Sequence, residues 1–357
     1  MYNFSPGPAV LAKSVSDEIA NHFSDALPGL SILEISHRSG EYETIHNSAI
    51  RRCRSLYGLP DDMEVLLVGG GASLQFAMVP INLLRQSNSA DYIETGSWSQ
   101  KALSEAVCLG KTVRVAGSSA DRDFCYIPGL EALSLDEAAD YVHVTSNNTI
   151  IGTQFRVFPD TNDVPKVVDM TSDLFSRPVS WEGIGLAYGG TQKNAGIAGC
   201  TVVFVRRDLL SRETNSTPAI LRYSTFSDSN SLYNTPPVFS VYVLNLTLEW
   251  LELTGGLEAA AIRNERKAKA LYDVIDRYDS VFRGYSDSAA RSYMNVTFDL
   301  SDREQSKHFS NAAAKQGFLG IEGHRSIGGY RASLYNGMPL EGCEALAEFM
   351  RDFALEQ

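Results

Sequence analysis

Lys193 is the residue in this chain best placed for covalent chemistry. It lies in Leu186-Ala-Tyr-Gly-Gly-Thr-Gln-Lys193-Asn-Ala-Gly, between apolar runs at Ile184 to Tyr188 and Cys200 to Val205 that read as buried strands. Most lysines belong on a solvated face. Here the flanking glycines let backbone approach something bulky, and Thr191, Gln192 and Asn194 offer hydrogen bonds. An amine held this way could form a Schiff base with a carbonyl compound. The plain alternative is a solvated loop cation, and the lysine alone does not choose.

Three other features bear on that choice. Asp169 sits in an otherwise apolar run, Val167-Val-Asp-Met170, where a carboxylate is costly unless paired. It is either salt-bridged or capping, or it faces the ring nitrogen of a pyridoxal phosphate and keeps that ring an electron sink. Gly69-Gly-Gly-Ala-Ser73 follows a four-residue apolar run, Val65 to Val68, and precedes an apolar helix from Leu74 to Leu84. A strand, a Gly-rich turn and a helix start form an anion site, because free N–H groups and the helix dipole converge there. The spacing fits neither nucleotide-loop pattern, so a single small phosphate is the expected ligand. Trp98, at a helix start after Thr95-Gly-Ser, is either core packing or a flat face for an aromatic cofactor.

Two His-Arg pairs, His37-Arg38 and His324-Arg325, lie in loops, and Arg331 follows closely after the second. Such residues are usually only solvated. In a chain of formal net charge −12 their concentration is informative, since the guanidinium fork matches carboxylate and phosphate oxygens. A substrate with several negative charges would account for them.

The elements that must position these groups alternate. Strands are predicted at Val65 to Val68, Asp91 to Thr95, Lys111 to Ala116, Tyr141 to Thr145 and Lys166 to Met170, with helices at Leu74 to Leu84 and Trp98 to Leu109. This succession argues for an α/β fold with a largely parallel sheet and ligands gathered beyond the strand ends, where Thr149, Asp169 and Lys193 fall. Earlier, Phe4-Ser-Pro-Gly-Pro8 reads as a turn-rich arm, with helices at Ser14 to Phe23 and Glu41 to Tyr57. From about Gly255 the pattern becomes a small α+β unit. It has a long helix from Leu257 to Tyr278, strands at Ser292 to Phe298 and Arg331 to Tyr335, and helices at Arg303 to Gln316 and Leu340 to Leu355. The expected division is an arm (1–15) joining the small domain, a large domain (16–255) and a small C-terminal domain (256–357).

Composition excludes several classes. The acidic balance disfavours a nucleic-acid surface and an anionic membrane. The longest apolar stretch, Val238 to Leu253, is broken by Asn245, Glu249 and Glu252 and reads as a buried helix, not a membrane span. The N-terminus lacks a signal-peptide pattern. Five scattered cysteines without C-x-x-C spacing suggest free thiols in the cytoplasm, with no metal site.

Taken in order, the motifs resemble phosphoserine aminotransferase, a class-V aminotransferase and fold-type I pyridoxal-phosphate enzyme. They are Asn3-Phe-Ser-Pro-Gly-Pro8, Glu34-Ile-Ser-His-Arg38, Gly69-Gly-Gly-Ala-Ser-Leu-Gln-Phe76 and Thr95-Gly-Ser-Trp98. Asn148-Thr-Ile-Ile-Gly152, Asp169-Met-Thr-Ser172 with Ser176-Arg-Pro178, and Gly190-Thr-Gln-Lys193 continue the series. Asn234-Thr-Pro-Pro237 and Gly323-His-Arg-Ser-Ile-Gly-Gly-Tyr-Arg-Ala-Ser333 complete it, so that it covers essentially the whole chain.

The resemblance implies a large domain with a mainly parallel, seven-stranded-type sheet and a small C-terminal α+β domain. It implies that Lys193 anchors pyridoxal 5′-phosphate, Asp169 pairs with its ring nitrogen, Trp98 stacks on the ring and Thr149 meets its 3-hydroxyl oxygen. Ala72, Ser73 and Gln192 would hold the cofactor phosphate, with Asn234 and Thr235 reaching it from the neighbouring subunit of a homodimer. Arg331 would clamp the substrate α-carboxylate. His37, Arg38, His324 and Arg325 would hold the distal phosphate or γ-carboxylate, the first two from the partner. The implied reaction moves an amino group from glutamate to 3-phosphohydroxypyruvate in serine biosynthesis, with a phosphohydroxythreonine precursor of vitamin B6 as a further substrate left open. Some members carry Arg where Ser73 stands, which affects how many cations face the distal anion. Two rivals stand beside this reading: another fold-type I enzyme, such as a serine–glyoxylate aminotransferase or a cysteine desulfurase, and a cofactor-binding module without turnover. A desulfurase would need a nucleophilic cysteine in a mobile loop, and neither Cys200 nor Cys343 is so placed.

Overall fold

The computed structural model describes residues 1–23, 30–84, 87–212 and 216–357. The chain opens with a two-residue strand β1 (Tyr2–Asn3), then helices α1 (Lys13–His22) and α2 (Gly40–Tyr57). Helix α2 has clear end signals. The Ser39 hydroxyl accepts the Tyr42 N–H, Glu41 and Glu43 face the positive end of the dipole, and Gly58 stops the helix at φ 54°.

Strand β2 (Met63–Val68) leads into α3 (Gly71–Leu83), β3 (Ser89–Glu94) into α4 (Ser97–Cys108), and β4 (Thr112–Ser118) follows. After β5 (Val142–Thr145) comes a short hairpin, β6 (Asn147–Asn148) with β7 (Thr153–Gln154). Strands β8 (Lys166–Asp169), β9 (Ile184–Gly190) and β10 (Thr201–Arg206) finish a seven-stranded sheet of order β2-β10-β9-β8-β5-β3-β4. The sheet departs from the parallel expectation at one strand: β10 runs antiparallel to both β2 and β9. The reversal follows from connectivity, because only a short loop joins β9 to β10 and a parallel neighbour needs a long crossover. That loop carries Lys193. The remaining pairs run parallel, so β3, β5, β8 and β9 end along one edge.

Helices α5 (Tyr223–Asp228), α6 (Val238–Leu253) and α7 (Gly256–Arg277) follow. A three-stranded antiparallel sheet then forms from β11 (Phe282–Gly284), β12 (Asn295–Leu300) and β14 (Tyr330–Ser333). Helix α8 (Ser306–Lys315) precedes β13 (Phe318–Leu319), and α9 (Leu340–Leu355) closes the chain. The single helix expected from Arg303 begins as a 3-10 turn at Arg303–Gln305, capped by the Asp302 carboxylate. Helix α9 buries Cys343, Leu346, Ala347, Met350, Phe353 and Ala354, the spacing of one helical face.

Separate apolar clusters fill the two faces of the large sheet. Helices α2 and α6 cover one, and α3, with Phe226 of α5, covers the other. A further cluster lies between the small sheet, α7 and α9, and it includes Phe4 of the N-terminal arm. The arm is tied there: β1 pairs in parallel with β13, and fully buried Phe4 contributes roughly 2–3 kcal/mol of apolar burial. Among the described residues no helix is long and apolar enough to cross a membrane.

Candidate active site

A cavity of 280 Å³ opens where the sheet edge, the start of α3 and the N-terminal arm meet. Each wall follows from the local fold. Helix α3 begins at Gly70 with no side-chain cap, so the N–H groups at its first turn, around Gly71, Ala72 and Ser73, face the cavity without a partner from their own helix. That is an anion site in waiting. Strand β8 ends with Asp169, and β9 delivers Gln192 and Lys193. Helix α4 contributes Trp98, and β14 contributes Arg331.

The half-buried Lys193 donates from Nζ to the Thr149 hydroxyl at 3.0 Å and lies 5.7 Å from the Trp98 ring centroid. Burial pulls its ammonium down to about 8; Asp169 opposes that shift and Arg331 adds to it. Burial raises the Asp169 carboxyl, and the Thr171 hydroxyl and backbone N–H, the latter at 2.9 Å, draw it back toward ionisation. Among the described residues that line the cavity, Asp169 is the only acidic one. Arg331 is 6% exposed, donates to the Thr149 carbonyl at 3.2 Å, and has no carboxylate partner among the described residues. Its Nε and the Trp98 Nε1 are buried without acceptors. A buried guanidinium in that state is built to receive an anion. His324 lines the same cavity, bonded to the Ser326 hydroxyl at 2.7 Å; burial and the nearby Arg331, Arg325 and Lys101 hold it below its usual range.

The cavity thus brings together Ala72, Ser73, Trp98, Thr149, Asp169, Gln192, Lys193, His324 and Arg331. It does not bring in the other five expected residues. His37 and Arg38 lie on the loop before α2, with Arg38 exposed and its Nε 3.4 Å from His37 Nε2. Asn234 and Thr235 are exposed before α6, where the Asn234 amide donates to the Thr235 carbonyl at 3.3 Å. Arg325 is exposed beside His324.

Sequence reasoning also missed residues that the cavity uses. Pro6 and Gly7 of the arm line it, and a Cβ on Gly7 would stand 3.3 Å from Lys193 Cγ, at φ +139°. The Pro-Gly-Pro run marked a turn but not its target. Thr171 and Ser172 lie in the turn that follows β8, two and three residues after Asp169. Asn147 carries no such signal; its amide donates to the Ser172 hydroxyl at 2.9 Å and to Asn295 Oδ1 at 2.8 Å deep inside.

Pyridoxal phosphate fits this donor set: an uncapped helix start for its phosphate, a buried carboxylate for its ring nitrogen, an indole at one face and a primary amine in reach. Among the described residues no group of three His, Cys, Asp or Glu could hold a metal ion.

Residues 1–346 match the family described as aminotransferase class-V. The phosphoserine aminotransferase of Desulfosudis oleivorans is 53% identical over 99% of this chain and 98% of its own length. Among solved structures, that of the Bacillus circulans subsp. alkalophilus phosphoserine aminotransferase superposes with a TM-score of 0.96 at 46% identity, covering 99% of this chain and 98% of that one. The PLP-bound enzyme of Trichomonas vaginalis gives 0.93 at 36% identity, over 98% and 99% respectively. Pyridoxal phosphate is accordingly the cofactor, and the expected fold-type I architecture is present. The chain belongs to the class-V aminotransferases and is a transaminase, similar along its whole length to the phosphoserine aminotransferases of that family.

Proposed function

We propose that this transaminase exchanges the amino group of L-glutamate with 3-phosphohydroxypyruvate, yielding O-phospho-L-serine and 2-oxoglutarate. The observation that carries the reading is Arg331, a buried guanidinium without a carboxylate partner among the described residues, in one cavity with Lys193 and His324. Both substrates are α-carboxylates with a second anionic group, and both meet cationic donors with no opposing acidic side chain except Asp169.

The cofactor, when bound, supplies an electron sink that acidifies the Cα–H of the amino acid. Arg331 takes the α-carboxylate in its fork and so fixes which bond at Cα stands across the cavity. Lys193 Nζ, once free as a neutral amine, would take the Cα proton as general base and then, as general acid, deliver it to C4′ instead of back to Cα. Its lowered affinity for protons makes the neutral form accessible near physiological pH. Thr149 steers the amine through the 3.0 Å hydrogen bond. Asp169 holds a proton on the ring nitrogen, and the Thr171 donors help keep its carboxylate charged. The first turn of α3 fixes the phosphate, and Trp98 excludes water from one face.

Four of the five remote residues, His37, Arg38, Asn234 and Thr235, enter through a second copy of the chain. In the proposed homodimer, His37 and Arg38 complete the distal-anion pocket with His324 and Arg325, and Asn234 and Thr235 complete the phosphate site. Support comes from the exposure of Arg38, Asn234 and Thr235 together with the cavity's lack of a second arginine at its mouth. Ser73 at the helix start adds hydroxyl donors and no charge, which leaves the distal charge to these pairs. The proposed organisation is an arm (1–15) on a small domain (256–357), with the cofactor on the large domain (16–255). The five free cysteines suit a cytoplasmic setting.

Half-reactions test the proposal. Glutamate should bleach the absorption band of the bound cofactor, and 3-phosphohydroxypyruvate should restore it with a far higher kcat/KM than glyoxylate. Equal restoration by glyoxylate sinks the substrate assignment. A phosphorylated hydroxythreonine run as donor in the same assay decides the vitamin B6 role.

A further inference from the structure

A second cavity, of 400 Å³, lies at the amino-terminal end of β8, away from the strand ends that carry the catalytic residues. Lys166, the first residue of β8, lines it and is 6% exposed. Among the described residues its Nζ makes no hydrogen bond and no ion pair. Burial lowers its proton affinity, with Asp160 and Glu182 acting in the opposite direction from a distance. Gly183 lies against the ammonium, where a Cβ would fall 2.5 Å from Nζ, and it is held at φ +68° with its carbonyl accepting the Lys166 N–H at 2.8 Å. Arg177 lines the same wall. Its Nη1 and Nη2 donate to the carbonyls of Arg156 and Phe155 at 3.2 and 2.8 Å, Nη2 also lies 3.7 Å from the buried Asp173 carboxylate, and its Nε is buried without an acceptor. Arg156 completes the cationic side, and Asp160 and Glu182 stand exposed among the lining residues.

Lys166 Nζ reaches the cavity without a protein acceptor among the described residues, and the buried Arg177 Nε has none either, so an anion seated in the cavity would supply oxygens that the chain does not. Neither belongs to the catalytic machinery. We propose that this cavity is a second anion-binding site, taking a small molecule through a phosphate or carboxylate group seated on Lys166 and Arg177. The rim carboxylates would weaken binding of a bare dianion and favour a ligand that also carries a positive charge or a hydroxyl donor.

Inorganic phosphate is the probe, titrated calorimetrically into the holoenzyme. Lys166→Met keeps the length of the side chain and removes its charge. It should weaken the non-catalytic component about tenfold or more, the scale of a lost charge-assisted hydrogen bond. Asp160→Asn with Glu182→Gln should tighten it, by about threefold for rim charges. This gain cannot come from misfolding. Phosphate also competes in the catalytic pocket, and its inhibition constant against turnover reads that pocket alone; it should be the same in all the variants. Identical isotherms for wild type and Lys166→Met overturn the proposal, as does a rim variant that binds no tighter. An inhibition constant that moves with the isotherm would assign the ion to the catalytic pocket and overturn it equally.

Discussion

Lys193 Nζ and Thr149 Oγ1 stand 3.0 Å apart, so the amine that must lose its proton is held by a hydroxyl that can accept or donate. Thr149 also presents its carbonyl to Arg331 at 3.2 Å. One residue therefore holds both Lys193 and Arg331, the proposed base and the proposed carboxylate clamp. Thr149→Val removes only the hydroxyl bond. It should lower kcat by roughly tenfold, about 1.4 kcal/mol, and change KM for glutamate little, since the backbone carbonyl under Arg331 remains. Stopped-flow half-reactions with glutamate would check the split.

The shift of Lys193 to about 8 has a sign that can be measured in the protein free of cofactor. Its affinity for protons is lower folded than unfolded, so between about 8 and the ordinary lysine value the unfolded chain binds more protons. Stability contributed by this group therefore rises with pH across that window and is absent below it. Only the neutral amine attacks an aldehyde, so the rate of pyridoxal phosphate uptake should climb with pH to a plateau, with a midpoint near 8. A reconstitution rate flat from pH 6 to 10 would contradict the burial argument. Lys193→Met should lose covalent uptake and the pH-linked part of its melting curve together.

Lys267, buried on α7, donates to the carbonyls of Leu334, Tyr335 and Met338 at 2.6, 2.8 and 3.2 Å. The turn it holds supplies the Asn336 N–H to the Asn194 side chain at 2.8 Å, beside Lys193, and the Tyr335 hydroxyl to the Pro6 carbonyl at 2.8 Å. Lys267→Met leaves three carbonyls without that donor and should destabilise the fold by about 2–4 kcal/mol. Denaturant melts of the apo protein read this directly. Cofactor affinity should also fall, since both the lysine loop and the arm lean on the turn.

Much of this was legible in the sequence, for identifiable reasons. The residue ranges expected for α6 and α9 match those observed, because Val238–Leu253 is apolar along most of its length and Leu340–Leu355 carries a regular apolar face. The candidate residues that share the cavity were readable because each sits beside a local anomaly: a lysine among glycines, an aspartate in an apolar strand, glycines before an apolar helix. Strand β11 was not anticipated, since three residues offer no periodicity. The reversed direction of β10 is a pairing property that composition does not encode. Contacts between residues far apart in the chain, such as Asn147 with Asn295, leave no local trace. The His37-Arg38 and Asn234-Thr235 pairs are a different case, since the cavity of one chain does not include them and their assignment rests on the proposed partner.

The same distance hid the role of Gly7. Its position in the arm and that of Lys193 in the sheet domain are linked by the β1–β13 pairing, the burial of Phe4 and the Ala9 N–H donated to the Gln192 carbonyl at 2.9 Å, which bring the arm across the cavity. At φ +139° an L side chain is strained, and its Cβ would press on Lys193 Cγ at 3.3 Å and approach Gln192 Cγ at 3.8 Å. Gly7→Ala should therefore act on the lysine and the phosphate contact, while the anchoring of the arm by Phe4 is untouched. The expected result is a cofactor dissociation constant raised about tenfold, with an apo melting point lowered by only a few degrees, as a strain of about 1 kcal/mol predicts. Equilibrium dialysis of pyridoxal phosphate alongside calorimetry of the apo protein separates the two. A variant that melts far lower yet binds cofactor normally would mean that Gly7 serves the packing of the arm and not the site.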